Sequence, residues 1–218
     1  MSITLTLKEE PSVPLEAEVL SPSLFADLSH DEICGLKMYH GKRQVRIDDF
    51  FDVEGERSDL VEIQGDLHRV RLLGRGMDRG QLTVRGNVGM HLGAHMKGGR
   101  IDVHGNASDW IGAEMKNGFI HVRGNGGGQI GGGYRGSLRG MKNGTIIVDG
   151  TAGLEVGLRT GRSVAGTGTD GLGSSTGTGG PSPPDVCLGT SPSVLVLPSV
   201  WPSVCCRRGR GCRVRRRQ

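Results

Sequence analysis

Between Met77 and Gly157 apolar residues recur two apart with one variable residue between them: Leu82 and Val84, Ile101 and Val103, Ile120 and Val122, Ile146 and Val148. That spacing predicts a short strand with one buried face at each visit. The surrounding segments repeat as well. The copies read Met77-Asp-Arg-Gly-Gln-Leu-Thr-Val-Arg-Gly-Asn, Met96-Lys-Gly-Gly-Arg-Ile-Asp-Val-His-Gly-Asn, Met115-Lys-Asn-Gly-Phe-Ile-His-Val-Arg-Gly-Asn and Met141-Lys-Asn-Gly-Thr-Ile-Ile-Val-Asp-Gly-Thr. The first three are offset by 19 residues, and the fourth comes after 26, the same period plus an insertion of seven around Tyr134 to Arg139.

Each copy closes on glycines at fixed places: Gly86, Gly89, Gly93; Gly105, Ser108, Gly112; Gly124, Gly127, Gly131; Gly150, Gly153, Gly157. A strand this short cannot bury its apolar face unless a copy of itself lies above and below. The expected fold is therefore all-β, a right-handed single-stranded β-helix (β-solenoid) of ~19-residue glycine-rich coils, in which Val84, Val103, Val122 and Val148 form one interior ladder. Val88, Leu92, Ile111, Ile130 and Val156 supply a second inward set and the methionines a third. Tight corners account for the glycines. A helical reading fails, because glycine inside a helix costs about 1 kcal/mol per site.

Ahead of the repeat the pattern changes. Residues 1–7 alternate like a strand and Pro11 to Pro14 interrupt it. Ser23 and Ser29 read as N-caps of short helices, with Glu32 at capping-box spacing from Ser29. Gln44-Val-Arg-Ile-Asp-Asp-Phe-Phe-Asp-Val-Glu-Gly comes next, and then an irregular first coil, Leu60-Val-Glu-Ile-Gln-Gly-Asp and Val70-Arg-Leu-Leu-Gly. Terminal repeats of solenoids are atypical because they close an exposed end, and the first 50 residues are expected to cap the edge there.

The G-x-x-G-x-x-x-G coils with methionine between them resemble the glycine-rich β-helix of the C subunit of formylmethanofuran dehydrogenase. The same repeat occurs in the C-terminal domain of the glutamate synthase large subunit, so the repeat alone leaves both open. The N-terminal order of a Leu-Thr-Leu start, a Ser-Pro stretch and Asp-Phe-Phe-Asp-Val-Glu-Gly before the first coil is similar to that C subunit of formylmethanofuran dehydrogenase. The bacterial protein corresponding to it in this resemblance is the C subunit of the formyltransferase/hydrolase complex. The resemblance covers residues 1–158.

Past Gly157 the period fails. Its extrapolation calls for an apolar residue at 160, glycine at 163, aliphatics at 165 and 167 and glycine at 169, where the chain has Thr160, Ser163, Ala165, Thr167 and Thr169. Gly, Ser, Thr and Pro dominate to Pro184, then come Leu195-Val-Leu-Pro-Ser-Val-Trp-Pro-Ser-Val-Cys-Cys and an arginine cluster, with no lysine. The division expected is a capping segment over 1–56, the repeat domain over 57–158, and a low-complexity, irregular or disordered tail over 159–218. Translation of further coils out of frame is the alternative origin of that tail, and the one its Cys-Cys, Trp and Leu-Val-Leu content favours. Either origin leaves the strand at Ile146–Val148 without an outer neighbour.

Charge respects the same boundary. The total is +4, but residues 160–218 hold eight arginines against Asp170 and Asp185, so residues 1–159 carry −2. A nucleic-acid partner would rest wholly on the tail, and with aromatics at 4% no stacking platform for bases exists. Residues 1–19 lack a basic leader and an apolar stretch, and the Leu195–Val204 run is too short to span a bilayer, so no membrane partner is expected. Cys34 is alone in the main body, which points to a cytoplasmic setting.

Smaller features invite chemistry. Stacking sets Thr83, Asp102 and His121 in one outward column, but a triad needs the imidazole between the hydroxyl and the acid, and here the acid is in the middle. A solvated or partner-facing ladder is the plainer reading, and it applies also to Arg85, His104, Arg123 and Asp149. His91 and His95 have ligand spacing without a third donor at matching positions. Cys205, Cys206 and Cys212 lack C-x-x-C spacing. Gly74-Arg-Gly-Met-Asp-Arg-Gly80 imitates a dinucleotide fingerprint without its strand-to-helix context. No catalytic, cofactor-binding or metal residue is expected in this chain.

The resemblance implies a non-catalytic scaffold in C1 metabolism, bound to hydrolase-like, formyltransferase-like and pterin-type subunits. Those partners would use a methanofuran-type carrier and, in the dehydrogenase form, a molybdenum or tungsten pterin held elsewhere. The rival from another class is a glutamate-synthase-type domain supporting an amidotransferase or oxidoreductase.

Overall fold

A computed structural model describes residues 2–160, together with the backbone of 165–166 and 193–196. In chain order the elements begin β1 (Ile3–Leu7), β2 (Leu15–Glu16), α1 (Pro22–Phe25), α2 (His30–Gly35), β3 (Lys37–His40), β4 (Arg43–Arg46), α3 (Ile47–Phe50) and β5 (Phe51–Glu54). They continue with β6 (Leu60–Gln64), β7 (Val70–Arg71), β8 (Gln81–Arg85), β9 (Arg100–Val103), β10 (Phe119–Val122), β11 (Thr145–Val148), β12 (Ala165–Gly166) and β13 (Ser193–Val196). Among the described residues the fold is mostly sheet with three short helices.

The apolar pairs align as the periodicity requires. Strands β6, β8, β9, β10 and β11 lie parallel in sequence order. Ile63, Val84, Val103, Val122 and Val148 occupy one register column, and Val61, Leu82, Ile101, Ile120 and Ile146 another. All ten are at most 2% exposed. On a second side of each turn, Leu67, Val88, Ala107, Gly126 and Ala152 are joined by parallel bridges. Met77, Met96, Met115 and Met141 are buried ahead of their strands, and Leu73, Leu92, Ile111 and Ile130 fill the interior behind them. Outside, Asn87, Asn106 and Asn125 form a ladder in which each side-chain oxygen accepts the next coil's backbone N–H, at 3.0, 2.8 and 2.9 Å.

The column Gly74, Gly93, Gly112, Gly131 and Gly157 turns the chain in the left-handed region. At Gly93 the reason is doubled: φ is +61°, and an added Cβ would lie 2.7 Å from Ile120 Cδ1. Alanine there would be strained and would press on the interior.

The N-terminal residues close the first edge. β1 pairs parallel with β6, setting Ile3 against Val61 and Leu5 against Ile63, and β5 returns antiparallel along β1. Phe25, Ile33, Ile47 and Phe51 bury beside them. A second sheet, ordered β4-β3-β2-β7, joins the cap to the first coil. Glu32 accepts from the Ser29 N–H at 2.9 Å and from its hydroxyl at 2.7 Å, as the spacing predicts, and these bonds hold its carboxyl below the usual range. The other cap expectation is corrected. Helix α1 starts after Ser21 with Pro22 leading, because proline suits the first helical position. Ser23 lies inside it and accepts from the N–H groups of Asp78 and Arg79, at 3.0 and 3.2 Å. Its hydroxyl pins the cap to a coil corner.

The far end departs from expectation more strongly. β11 does not end the sheet: β13 pairs parallel with it, placing Val194 and Val196 in the register columns of Ile146 and Val148, and β12 pairs with β13. Valines two apart satisfy the same column rule without any of the glycine spacing that marks the earlier coils. The expected disorder or frame change of the rest of 159–218, and Cys205, Cys206 and Cys212, lie outside the described residues.

Candidate functional site

The corners that bring glycine to left-handed backbone also force other residues into it. Leu72, His91, Trp110, Gln129 and Glu155 stand in one corner column with φ between +58° and +66°. His95, Glu114 and Arg159 stand four residues further on in their coils, with φ between +53° and +65°. Such a residue costs of order 1–3 kcal/mol unless its surroundings fix it. Here the ladder does so for six of them, whose N–H groups donate to the next coil: Leu72 to Met90 O, His91 to Asp109 O, Trp110 to Gly128 O, Gln129 to Leu154 O, His95 to Ala113 O and Glu114 to Gly132 O.

Stacking these corners assembles one edge rich in rings. The insertion completes it. In the first three full coils the methionine N–H donates to the glycine carbonyl three residues back, as Met115 does to Gly112; in the fourth, Met141 donates to Gly131, ten residues back. The extra loop swings Tyr134 against the edge. Its ring lies 5.5 Å from His91, 5.7 Å from His95 and 5.0 Å from Trp110, stacked on the last. The Tyr134 hydroxyl is 3.0 Å from His91 Nδ1, its N–H donates to Glu114 Oε1 at 3.2 Å, and Glu114 Oε2 is 3.5 Å from His95 Nδ1. Glu16, Arg71, Leu72 and Arg75 wall the other side of a shallow depression of about 330 Å³. Arg75 is paired with Glu18 at 2.7 Å.

Burial, with Arg71 and Arg75 nearby, holds His91 below the ordinary imidazole pKa, and burial pushes the Tyr134 phenol up. Both are neutral at pH 7. The cluster is thus a rigid, hydrogen-bonded aromatic surface without an activated nucleophile. It suits contact more than catalysis.

His91 and His95 both pack on the Tyr134 ring, and His95 alone of the two has Glu114 beside it. Among the described residues no group of three His, Cys, Asp or Glu side chains is placed to hold a metal ion. Sequence reasoning missed Trp110 and Tyr134. The available signal was that Trp110 lies one period after His91 and that Tyr134 lies within the insertion.

The outward column Thr83, Asp102 and His121 is aligned in register. One expectation about it needs correcting, because Asp102 is not solvated: it is 5% exposed. Arg100 grips it through Nε and Nη2 at 2.5 and 2.7 Å while its guanidinium lies 4.5 Å over the Phe119 ring. His121 turns instead to Asp149, with Nε2 3.0 Å from both carboxylate oxygens, and leaves Nδ1 3.8 Å from Asp102. Thr83 takes its contact from Gln81 at 3.4 Å, so no hydroxyl is joined to the imidazole. Arg85 pairs with Glu62 at 3.1 Å, and burial together with Arg123 and Arg85 lowers the His104 pKa. Gly74–Gly80 forms a coil corner leading into β8, without a helix. Cys34 lies 3.6 Å from His30 Nε2, and burial, then Asp48 and Asp31, raises its pKa, which keeps the thiol protonated. No helix among the described residues is long and apolar enough to cross a membrane.

No protein-family model matches the chain. It is 46% identical, over 97 residues, to the C subunit of tungsten-containing formylmethanofuran dehydrogenase 2 of Methanothermobacter wolfeii, covering 42% of this chain and 36% of that protein. It is 43% identical, over 95 residues, to the C subunit of molybdenum-containing formylmethanofuran dehydrogenase 1 of Methanothermobacter marburgensis, covering 43% and 24%. The matches thus span about a third of the first relative's length or less. A chain of the formyltransferase/hydrolase complex of Methylorubrum extorquens, crystallised with methylofuran, superposes with a TM-score of 0.71 at 27% identity, covering 76% of this chain and 62% of that one. The likeness to these C subunits read from the sequence therefore holds.

Proposed function

We propose, from this likeness to the C subunit of formylmethanofuran dehydrogenase and to the formyltransferase/hydrolase complex, that the chain is a non-catalytic scaffold subunit of a C1-transferring assembly. Its backbone is read as a right-handed β-solenoid, supported by the parallel columns and by the near-universal right-handedness of parallel crossovers. Residues 1–56 cap it, 57–158 form the rod and 159–218 make a separate segment. Hydrolase-like, formyltransferase-like and pterin-type subunits are the partners, in the cytoplasm. The methanofuran-type carrier and any molybdenum or tungsten pterin are assigned to those partners, and no residue of this chain to catalysis.

One observation carries the reading. The ionisable pairs of the rod are spent on holding coils together, as in Arg85–Glu62 and His121–Asp149, while a ringed edge is left for contact. The test is co-expression of the tagged chain with the hydrolase-like, formyltransferase-like and pterin-type subunits of the same genome. A stable complex whose formyl-group chemistry survives neutralisation of Asp102 and His121 supports the scaffold role. A chain that purifies alone, or turnover by the isolated chain, refutes it.

A further inference from the structure

The inserted loop serves the rod on one side only. It begins at Gly132 and rejoins at Met141, and everything that fixes it faces inward. Tyr134 packs on Trp110 and bonds His91. Gly133 donates to Leu158 O at 3.1 Å and Gly140 to Arg159 O at 2.9 Å. Ser137 N–H closes a turn on Tyr134 O at 2.9 Å, with Gly136 at φ +87°, and the Arg159 guanidinium donates to Ser137 O. The outer side carries Leu138, which is 91% exposed, against 66% for the next most exposed large apolar residue described. Arg135 and Arg139 flank it, exposed and without an ion-pair partner among the described residues.

A single exposed leucine needs no explanation by itself. A leucine held at the summit of a loop that is anchored at both ends, and that interrupts an otherwise regular period, is different. The loop has already lost its conformational freedom, so presenting Leu138 to a partner costs little further entropy. We infer that the Tyr134–Arg139 loop is a docking knob, in which Leu138 enters an apolar socket on another subunit and Arg135 and Arg139 meet carboxylates on the socket's rim. This rests on the scaffold reading and says where on the rod one partner binds. An acidic rim is required because two unpaired guanidiniums would otherwise be left against the interface.

The experiment uses the full chain, co-expressed with the hydrolase-like, formyltransferase-like and pterin-type subunits. Leu138→Asp is expected to weaken retention of at least one of them by a factor of about ten to a hundred, the range for an apolar anchor at an interface centre. Its melting temperature should match the parent. Arg135→Glu/Arg139→Glu should weaken binding at low salt and remove most of its salt dependence. Leu60→Asn, at the exposed leucine of the first coil, serves as control and should leave binding unchanged. Full retention with both loop variants, at unchanged stoichiometry, overturns the docking knob and leaves the scaffold reading intact. Failure of the parent chain to bind any of these subunits overturns both.

Discussion

Replacing Val103 by aspartate tests the stacking directly. Val103 is 0% exposed, with Val84 and Val122 as register neighbours on either side, so a carboxylate placed there finds aliphatic groups above and below and no donor. Removing the valine forfeits about 1.5–3 kcal/mol of burial. Desolvation would raise the carboxyl's pKa by about 3–5 units from roughly 3.9. At about 1.36 kcal/mol per unit, and with the carboxyl at the upper end still mostly protonated, that is roughly 4–5.5 kcal/mol at pH 8. The combined loss is comparable to the whole stability of a typical domain, about 5–15 kcal/mol. A pKa raised in the folded state makes the variant most stable below about pH 4 and progressively less stable as pH rises through the folded value. Urea titrations followed by far-UV circular dichroism at pH 4, 6 and 8 read this out. Val103→Thr, which changes shape least, should lose only about 1–3 kcal/mol and show no pH dependence. An aspartate variant as soluble and as urea-resistant as the parent at pH 8 would refute the interior ladder.

Asp102→Asn weakens the buried grip of Arg100 and should lower the melting temperature by about 3–6 °C, for a loss of about 1–2 kcal/mol; an unchanged scan would mean the pair contributes nothing. His91 has a depressed pKa, so its contribution to stability is present above about pH 6.5 and lost as pH falls through the lower folded value. The parent's stability loss below pH 6 should therefore shrink in His91→Gln, and identical pH profiles would contradict the assignment. Tyr134→Ala, in a Trp201→Phe background, should shift Trp110 emission to longer wavelength while leaving the far-UV spectrum alone; no shift would mean the rings are not packed. Ending the chain after Thr160 uncovers the β11 edge that β13 pairs with. It should keep the folded signal of the rod and increase self-association in light scattering, and loss of that signal would show that the rod depends on residues C-terminal to it.

How far residues can be read without coordinates is clearest where one rule governs them. Ile101 and Val103 had to face inward because alternation leaves a three- or four-residue strand one burial face, and the 19-residue offset put Ile120 and Val122 directly beside them. Glu32 capping Ser29 was likewise local, three residues apart. Ser23 was not: its partners are the N–H groups of Asp78 and Arg79, and competition from a distant corner moved it out of the cap role.

The order of the repeats, their parallel stacking and the identity of the buried columns are thus properties of the sequence alone, since period and alternation are local quantities that any copy of the chain must satisfy. Tertiary structure decided the rest. It placed Tyr134 on His91, His95 and Trp110, turned Asp149 toward His121, and laid Ser193–Val196 along β11. Each of these joins residues whose separation in sequence carries no period, and whose meeting depends on how a corner or an insertion directs the chain in three dimensions.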